Sequence, residues 1–304
     1  MYIEQGYRGQ LGLWKYLVIP TGFIGLIVIN YITVLNAPQS TEEMMQVMVD
    51  RLGSNIVLIT MLLPLAIALF LLWAWVKLVH QQRITTLTTS RKKVDWKRIF
   101  FAFFLWGGIT ALFIVVDYFL SPEDYLWNFD LVPFLSLVVI AILLVPLQTS
   151  FEEYLFRGYL MQGIGIFAKN RWVPLIVTSV IFGLMHIANP EVEKLGYGIM
   201  VYYIGTGFFL GIITLMDQGM ELALGFHAAN NLVTVLLVTA TWTAFQTESV
   251  LKDVSTPTLG YDVFVPVLIV FPILIYIFSR KYKWSDWKDR LTGKVDKSKL
   301  NLES

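Results

Sequence analysis

Apolar side chains in this sequence gather into long runs that no charged residue interrupts, at residues 16–35, 56–76, 99–116, 131–151, 195–216 and 222–245. A run of about 18 or more such residues is long enough to cross a bilayer as an α-helix. Two shorter runs, 172–185 and 263–279, have the same character, the first stopping at a histidine and the second leading into a basic tail. The pattern predicts an all-α polytopic membrane protein of about eight transmembrane helices. The first run follows Arg8 and Lys15 but is longer than a signal-peptide core and lacks a small-residue cleavage site, so it is expected to remain as a span.

Composition agrees. Of 304 residues, 56% are hydrophobic and only 15% charged, and the mean hydropathy is +0.64, whereas a soluble domain carries about 25% charged residues. A net charge of +1 offers no overall field for nucleic acid, so none is expected as a partner. The absence of cysteine excludes disulfides, thiolate zinc sites and a cysteine nucleophile. Lysine and arginine resist translocation, and with the N-terminus inside, 20 of the 23 fall on the cytoplasmic side, leaving only Arg51, Lys194 and Lys252 outside. Both termini are then cytoplasmic, and Trp284 and Trp287 in the basic tail read as a juxtamembrane anchor.

A charge at membrane depth is costly, so polar residues inside spans carry the information. Glu152 and Glu153 close the fourth run, followed by Arg157; Phe182 and His186 come late in the fifth; His227 and Asn231 lie inside the seventh. Of the three histidines, only His80 lies in a basic loop, where no role is assigned to it. Residues four apart share a helix face, which pairs Glu153 with Arg157, Phe182 with His186 and His227 with Asn231. Glu152 is turned about 100° from Glu153 and is free to face a neighbouring helix.

Depth gives a second test. If the chain turns near Lys169 and Asn170, Glu152 and His186 each stand about 17 residues from the turn, level with one another and roughly 25 Å from the tip. His227 lies about seven residues beyond the loop at 217–219, roughly 10 Å into the membrane, and matches if the tip projects into the cytoplasm. Pro190 is expected to end the fifth helix, leaving the charged residues 191–194 to reach the far side or an aqueous cavity.

A carboxylate in a low-dielectric site can act as general base for water, with a histidine sharing the proton. An amide and a second histidine can donate to the oxyanion formed when a peptide carbonyl becomes tetrahedral. The same Glu152, His186 and His227 could instead hold a divalent metal such as zinc. Both mechanisms remain open at the level of sequence.

These residues resemble the CAAX protease and bacteriocin-processing family of intramembrane endopeptidases. The family's Glu-Glu-x-x-x-Arg motif stands as Glu152, Glu153 and Arg157; its Phe-x-x-x-His motif as Phe182 and His186; its histidine and asparagine as His227 and Asn231. The resemblance covers about residues 131–238. It implies that Glu152 and His186 activate water, that His227 and Asn231 stabilise the oxyanion, and that Glu153 and Arg157 support them. It also implies a substrate that is a membrane-associated peptide or lipidated protein, and a bacterial plasma membrane as the setting, with membrane lipid as a partner. The expected organisation is 1–130 for three transmembrane helices with a basic loop, 131–245 for the catalytic core, and 246–304 for the last helix and basic tail.

Other protease signatures do not occur: the chain has no H-E-x-x-H and no G-x-S-x-G, and Asp117 is the only aspartate near a span core, at an outer helix end. The Gly207 and Gly211 spacing reads as close helix packing. Taken singly, each polar residue also fits an ordinary structural role. As a class, a proton-coupled transporter or a non-catalytic scaffold would use the same groups, but a transporter should show an internal repeat, and none is visible.

Overall fold

The computed structural model describes residues 1–301, with Asp262 through its backbone alone. Helices α1 (Leu13–Asn36), α2 (Thr41–Leu52), α3 (Ser54–Leu78), α4 (Ile84–Thr88) and α5 (Trp96–Leu120) lead to α6 (Leu131–Glu153). Helix α6 continues without a break through a π-helical stretch, Tyr154–Leu160, into α7 (Met161–Ala168). Then follow α8 (Trp172–Leu184), α9 (Pro190–Leu195), α10 (Met200–Asp217) and α11 (Glu221–Leu237). The last long helix is α12 (Tyr261–Val265), a second π stretch (Pro266–Val270) and α13 (Phe271–Tyr282), and the short α14 (Trp287–Thr292) lies in the tail.

Six of these helices are long and apolar enough to cross a membrane, and α8 and α11 are shorter apolar helices. Large apolar side chains are exposed along their outer faces, among them Leu26 and Ile29 of α1, Phe70 and Leu71 of α3, and Phe104 of α5. Contiguous apolar surface of this kind is untenable in water and matches the interior of a bilayer. The chain is an all-α integral membrane protein apart from one small sheet.

That sheet lies at the end of the bundle opposite the basic loops. Strands β1 (Tyr125–Trp127), β2 (Val238–Thr239) and β3 (Leu251–Asp253) take the order β1-β3-β2, with β1 antiparallel and β2 parallel to β3. It explains why α11 stops at Leu237 rather than continuing to residue 245 as the apolar run suggests. Val238 and Thr239 are β-branched and pair with β3 instead. Helix α2, which the apolar runs do not predict, is held by a capping box in which Ser40 and Glu43 each accept the other's backbone N–H.

Close approach between helices depends on glycine at two places. A Cβ on Gly207 of α10 would stand 2.5 Å from the Ser179 carbonyl oxygen of α8, and one on Gly225 of α11 would stand 2.0 Å from the Ile99 carbonyl oxygen of α5. The Gly207 spacing therefore serves packing, as its sequence context suggested. Helix α5 runs along α11, and α3 runs along α6.

Both chain ends meet at the basic end. Val295 N–H donates to the Lys169 carbonyl at 3.1 Å, and buried Arg171 pairs with Glu4. Two expectations change here. Trp284 is buried and its indole donates to Asp217 Oδ1 at 3.1 Å, so this part of the tail is docked on protein rather than laid along lipid. His80, in a loop rich in basic residues, is also buried, bridging the Gln10 carbonyl at 3.0 Å and the Tyr159 hydroxyl at 2.9 Å.

Candidate active site

The site forms where α6, the turn after α8 and α11 meet at mid-depth. Pro146 lacks an N–H and interrupts the bonding of α6 two residues before Gln148. Beyond Glu153 the helix winds as a π turn, a form concentrated at functional sites. It carries Arg157 inward: both Glu153 and Arg157 are wholly buried and paired at 3.2 Å. Arg157, counted among the cytoplasmic charges from sequence, is thus a core residue, where its second Nη donates to the Gly207 carbonyl at 3.2 Å and its guanidinium lies 4.1 Å from the centre of the Phe182 ring.

Helix α8 is only 13 residues long, about 20 Å against a hydrocarbon core of about 30 Å. The chain turns at His186 before reaching the far end. Pro190 does not end a helix but begins α9, and the charged residues there reach the opposite end of the bundle: Lys194 pairs with Glu42, and Glu193 accepts the Thr41 N–H at 2.9 Å. Non-helical backbone at membrane depth survives only where protein or an internal cavity surrounds it. The hairpin turn at Lys169 and Asn170 lies where the depth argument puts it, with Lys169 left-handed at φ 56°.

Four of the predicted residues are in direct contact. His227 Nδ1 lies 2.8 Å from Glu153 Oε1, and its Nε2 lies 3.8 Å from Glu152 Oε2. Glu153 is ion-paired, so it accepts and His227 Nδ1 carries the hydrogen. Glu153 therefore fixes the tautomer and tilt of His227, a link that spacing alone does not give. Glu152 is the more open carboxylate, with its side chain 12% exposed. Its Oε1 accepts from the Gln148 amide.

His186 does not touch Glu152 directly. Its Nδ1 faces the Phe182 carbonyl at 2.9 Å, so Nδ1 bears the hydrogen and the Nε2 lone pair is free for a proton. The ring stacks on Tyr203 of α10 at 4.4 Å between centroids, and the charge of Glu152 acts on it. Phe182 stands between the two histidines, 5.1 Å from His186 and 5.8 Å from His227. Asn231 donates to Gln148 Oε1 at 3.2 Å and accepts from Asn230 at 3.1 Å. Its oxygen is occupied, so its amide N–H₂ is the face it presents.

As a metal site the set does not fit. Among the described residues no three His, Asp or Glu side chains converge as ligands, Glu152, His186 and His227 included.

Gln148, Asn230 and Tyr203 do not stand out when only charged and histidine side chains are considered. An amide inside an otherwise apolar span is the available signal for the first two.

Residues 131–233 match the family model described as "Type II CAAX prenyl endopeptidase Rce1-like". Two bacterial proteins are similar. One is "Uncharacterized protein YyaK" of Bacillus subtilis (strain 168), 29% identical over 244 residues, which cover 76% of this chain and 80% of that protein. A Mycoplasma capricolum protein, also named as uncharacterized, is 31% identical over 108 residues, 35% of this chain and 30% of its own. No solved structure matches. The three motifs lie inside the matched stretch, and over residues 131–233, about a third of the chain, the protein is similar to the Rce1-like type II CAAX prenyl endopeptidases.

Proposed function

We propose that the cluster hydrolyses a peptide bond in a membrane-associated peptide or lipidated protein, with water as the nucleophile and no covalent intermediate. The observation that carries this reading is the pair of imidazoles flanking one half-open carboxylate, each held at Nδ1 by a different acceptor. Glu152 Oε2 takes a proton from water, and the oxygen adds to the scissile carbonyl carbon. His186, with its Nε2 lone pair free, shares that proton. The carbonyl oxygen gains negative charge and is met by the Asn231 amide and by His227 Nε2. Donation from Nε2 needs a ring protonated at both nitrogens, with Glu153 as its counter-ion at 2.8 Å. The carbon–nitrogen bond then breaks, and the proton held at Glu152 passes to the leaving amine, returning the carboxylate.

The family's chemistry points to prenylated CAAX-type proteins, peptide pheromones or bacteriocin-related peptides as substrates, handled at a bacterial plasma membrane with the basic end in the cytoplasm. Purified protein in vesicles, mixed with a farnesylated CAAX peptide, should release the terminal tripeptide. Mass spectrometry of membrane peptides from cells with and without the protein extends the search to other substrates. Wild-type-like processing by both Glu152→Gln and His186→Ala would overturn the reading and return weight to a scaffold or transporter.

A further inference from the structure

One hydrogen-bonded chain runs from α5 to the carboxylate. The Trp106 indole donates to Asn230 Oδ1 at 3.0 Å, and the Tyr202 hydroxyl donates to the same oxygen at 3.4 Å. Asn230 Nδ2 donates to Asn231 Oδ1 at 3.1 Å, Asn231 Nδ2 to Gln148 Oε1 at 3.2 Å, and Gln148 Nε2 to Glu152 Oε1. Three amides in series could in principle run either way, since each can rotate end for end. The two ends remove that freedom independently. An indole can only donate, and an ionised carboxylate can only accept. Reversing the amides would set Asn230 N–H₂ against the Trp106 N–H and the Gln148 oxygen against Glu152.

We propose that Gln148 is a positioning residue for Glu152, its amide set by the chain that ends on Trp106 and Tyr202, so that Oε1 stays occupied and Oε2 alone takes the proton of water. The inference rests on the proposed role of Glu152 as base. The relay also accounts for two residues that take no part in the hydrolysis itself. Gln148 and Trp106 are both buried, and a buried glutamine in an apolar span is costly unless its amide is fully used. An N–H donor bonds a carboxylate more strongly than it bonds a neutral carboxyl. The ionisable groups facing the relay and its carboxylate are Glu153 and Arg157 on the same helix, His186 beyond α8, Tyr202 and Tyr203 on α10, and His227 on α11.

Dicyclohexylcarbodiimide, an apolar reagent for protonated membrane carboxyls, reads this directly and needs no substrate. Labelling of Glu152, quantified by mass spectrometry across pH in vesicles, gives the midpoint of its protonation. In Gln148→Leu the midpoint should rise by about one pH unit, a roughly tenfold change in proton affinity, and in Trp106→Phe, where Tyr202 still donates to Asn230 Oδ1, it should move less. Trp106→Phe keeps a ring stacked on Phe226, 4.5 Å away, and Gln148→Met, closer in shape to glutamine, serves if Gln148→Leu does not fold. With the farnesylated peptide, the Gln148 variants should lower kcat about tenfold at unchanged KM, as expected for an interaction expressed in the transition state. A labelling midpoint within about 0.3 units of wild type in a folded Gln148→Leu or Gln148→Met variant overturns the proposal, because a purely structural hydrogen bond would leave it there. Cleavage by Glu152→Gln at the wild-type rate is a different failure: it removes Glu152 as base while the labelling midpoints still report whether the relay exists.

Discussion

Two buried ionic clusters lie at different depths of this molecule and differ in how completely they are bonded. At the basic end, Asp217 accepts from Arg91 at 2.8 Å, from Arg98 and from Trp284, while Glu221 accepts from Arg91 at 3.0 Å and from the Asp95 N–H at 3.2 Å. Every carboxylate oxygen there has a partner. At mid-depth, Glu153 Oε2 and Arg157 Nε have none, and the pair is held in the interior with its bonding incomplete. Burying charge is costly unless partners compensate, so the deeper cluster is the more expensive although it has fewer members. A closed network is what fastening helix ends requires. An incompletely satisfied one beside an open carboxylate is what a site for chemistry requires.

The contrast can be broken most forcefully at Glu152. Glu152→Gln keeps the shape of the side chain and should reduce peptide cleavage by about 10²–10⁴-fold, the range for a positioned general base, with no change in melting temperature in detergent. Arg157→Met should act on both properties: removing one partner of a buried pair strands the other and costs about 3–5 kcal/mol, measured by thermal or denaturant unfolding, and His227 loses its orientation with it. Asp217→Asn should behave oppositely, costing about 1–3 kcal/mol of stability while the surviving folded protein cleaves at a near-normal rate. If Asp217→Asn instead abolished activity at full stability, the division between fastening and chemistry would be wrong.

The smallest effect is at His80, which is outside the spans. Burial pushes its pKa below the usual value, with the Gln10 carbonyl partly opposing the shift. The folded protein therefore holds this ring neutral where the unfolded chain would bind a proton. Its contribution to stability is complete above pH about 6.5 and is lost as the pH falls through the lowered folded value, by at most ~1.4 kcal/mol per pH unit. His80→Gln should flatten that acid slope in melting experiments.

Much of this was legible from sequence, for identifiable reasons. The spans were visible because exclusion of charge from lipid leaves long uncharged runs, and the motif residues stood out because few charges lie at depth. The paired positions four apart that held, Glu153 with Arg157 and Phe182 with His186, follow from helical geometry alone. What stayed hidden depends on contacts between distant segments. Nothing local says that Glu153 accepts from His227, 74 residues away, or that His80 is sealed under the N-terminus. The helix over residues 41–52 was legible in principle through Ser40 and Glu43, but it is amphipathic, and a search for apolar runs passes over it. Residues 238–245 misled because β-branched apolar residues suit a strand as well as a span.

The π stretch at Tyr154–Leu160 has a consequence for how this chain can change in length. A π turn holds one residue more than the α-helical turn it replaces, so Glu152 and the hairpin tip are separated by one residue beyond what a regular helix would use. Removing a single residue from this stretch need not break the helix; the chain can close into ordinary α-helix with every backbone bond made. Everything beyond the deletion would then keep nearly its present angle relative to Glu152 and Glu153, because an α turn with one residue fewer covers the same full turn as the π turn it replaces. An intact helix with its far half still in place is the outcome, so this segment can absorb a one-residue deletion that, in the regular helix on either side, would rotate everything beyond it by about 100°.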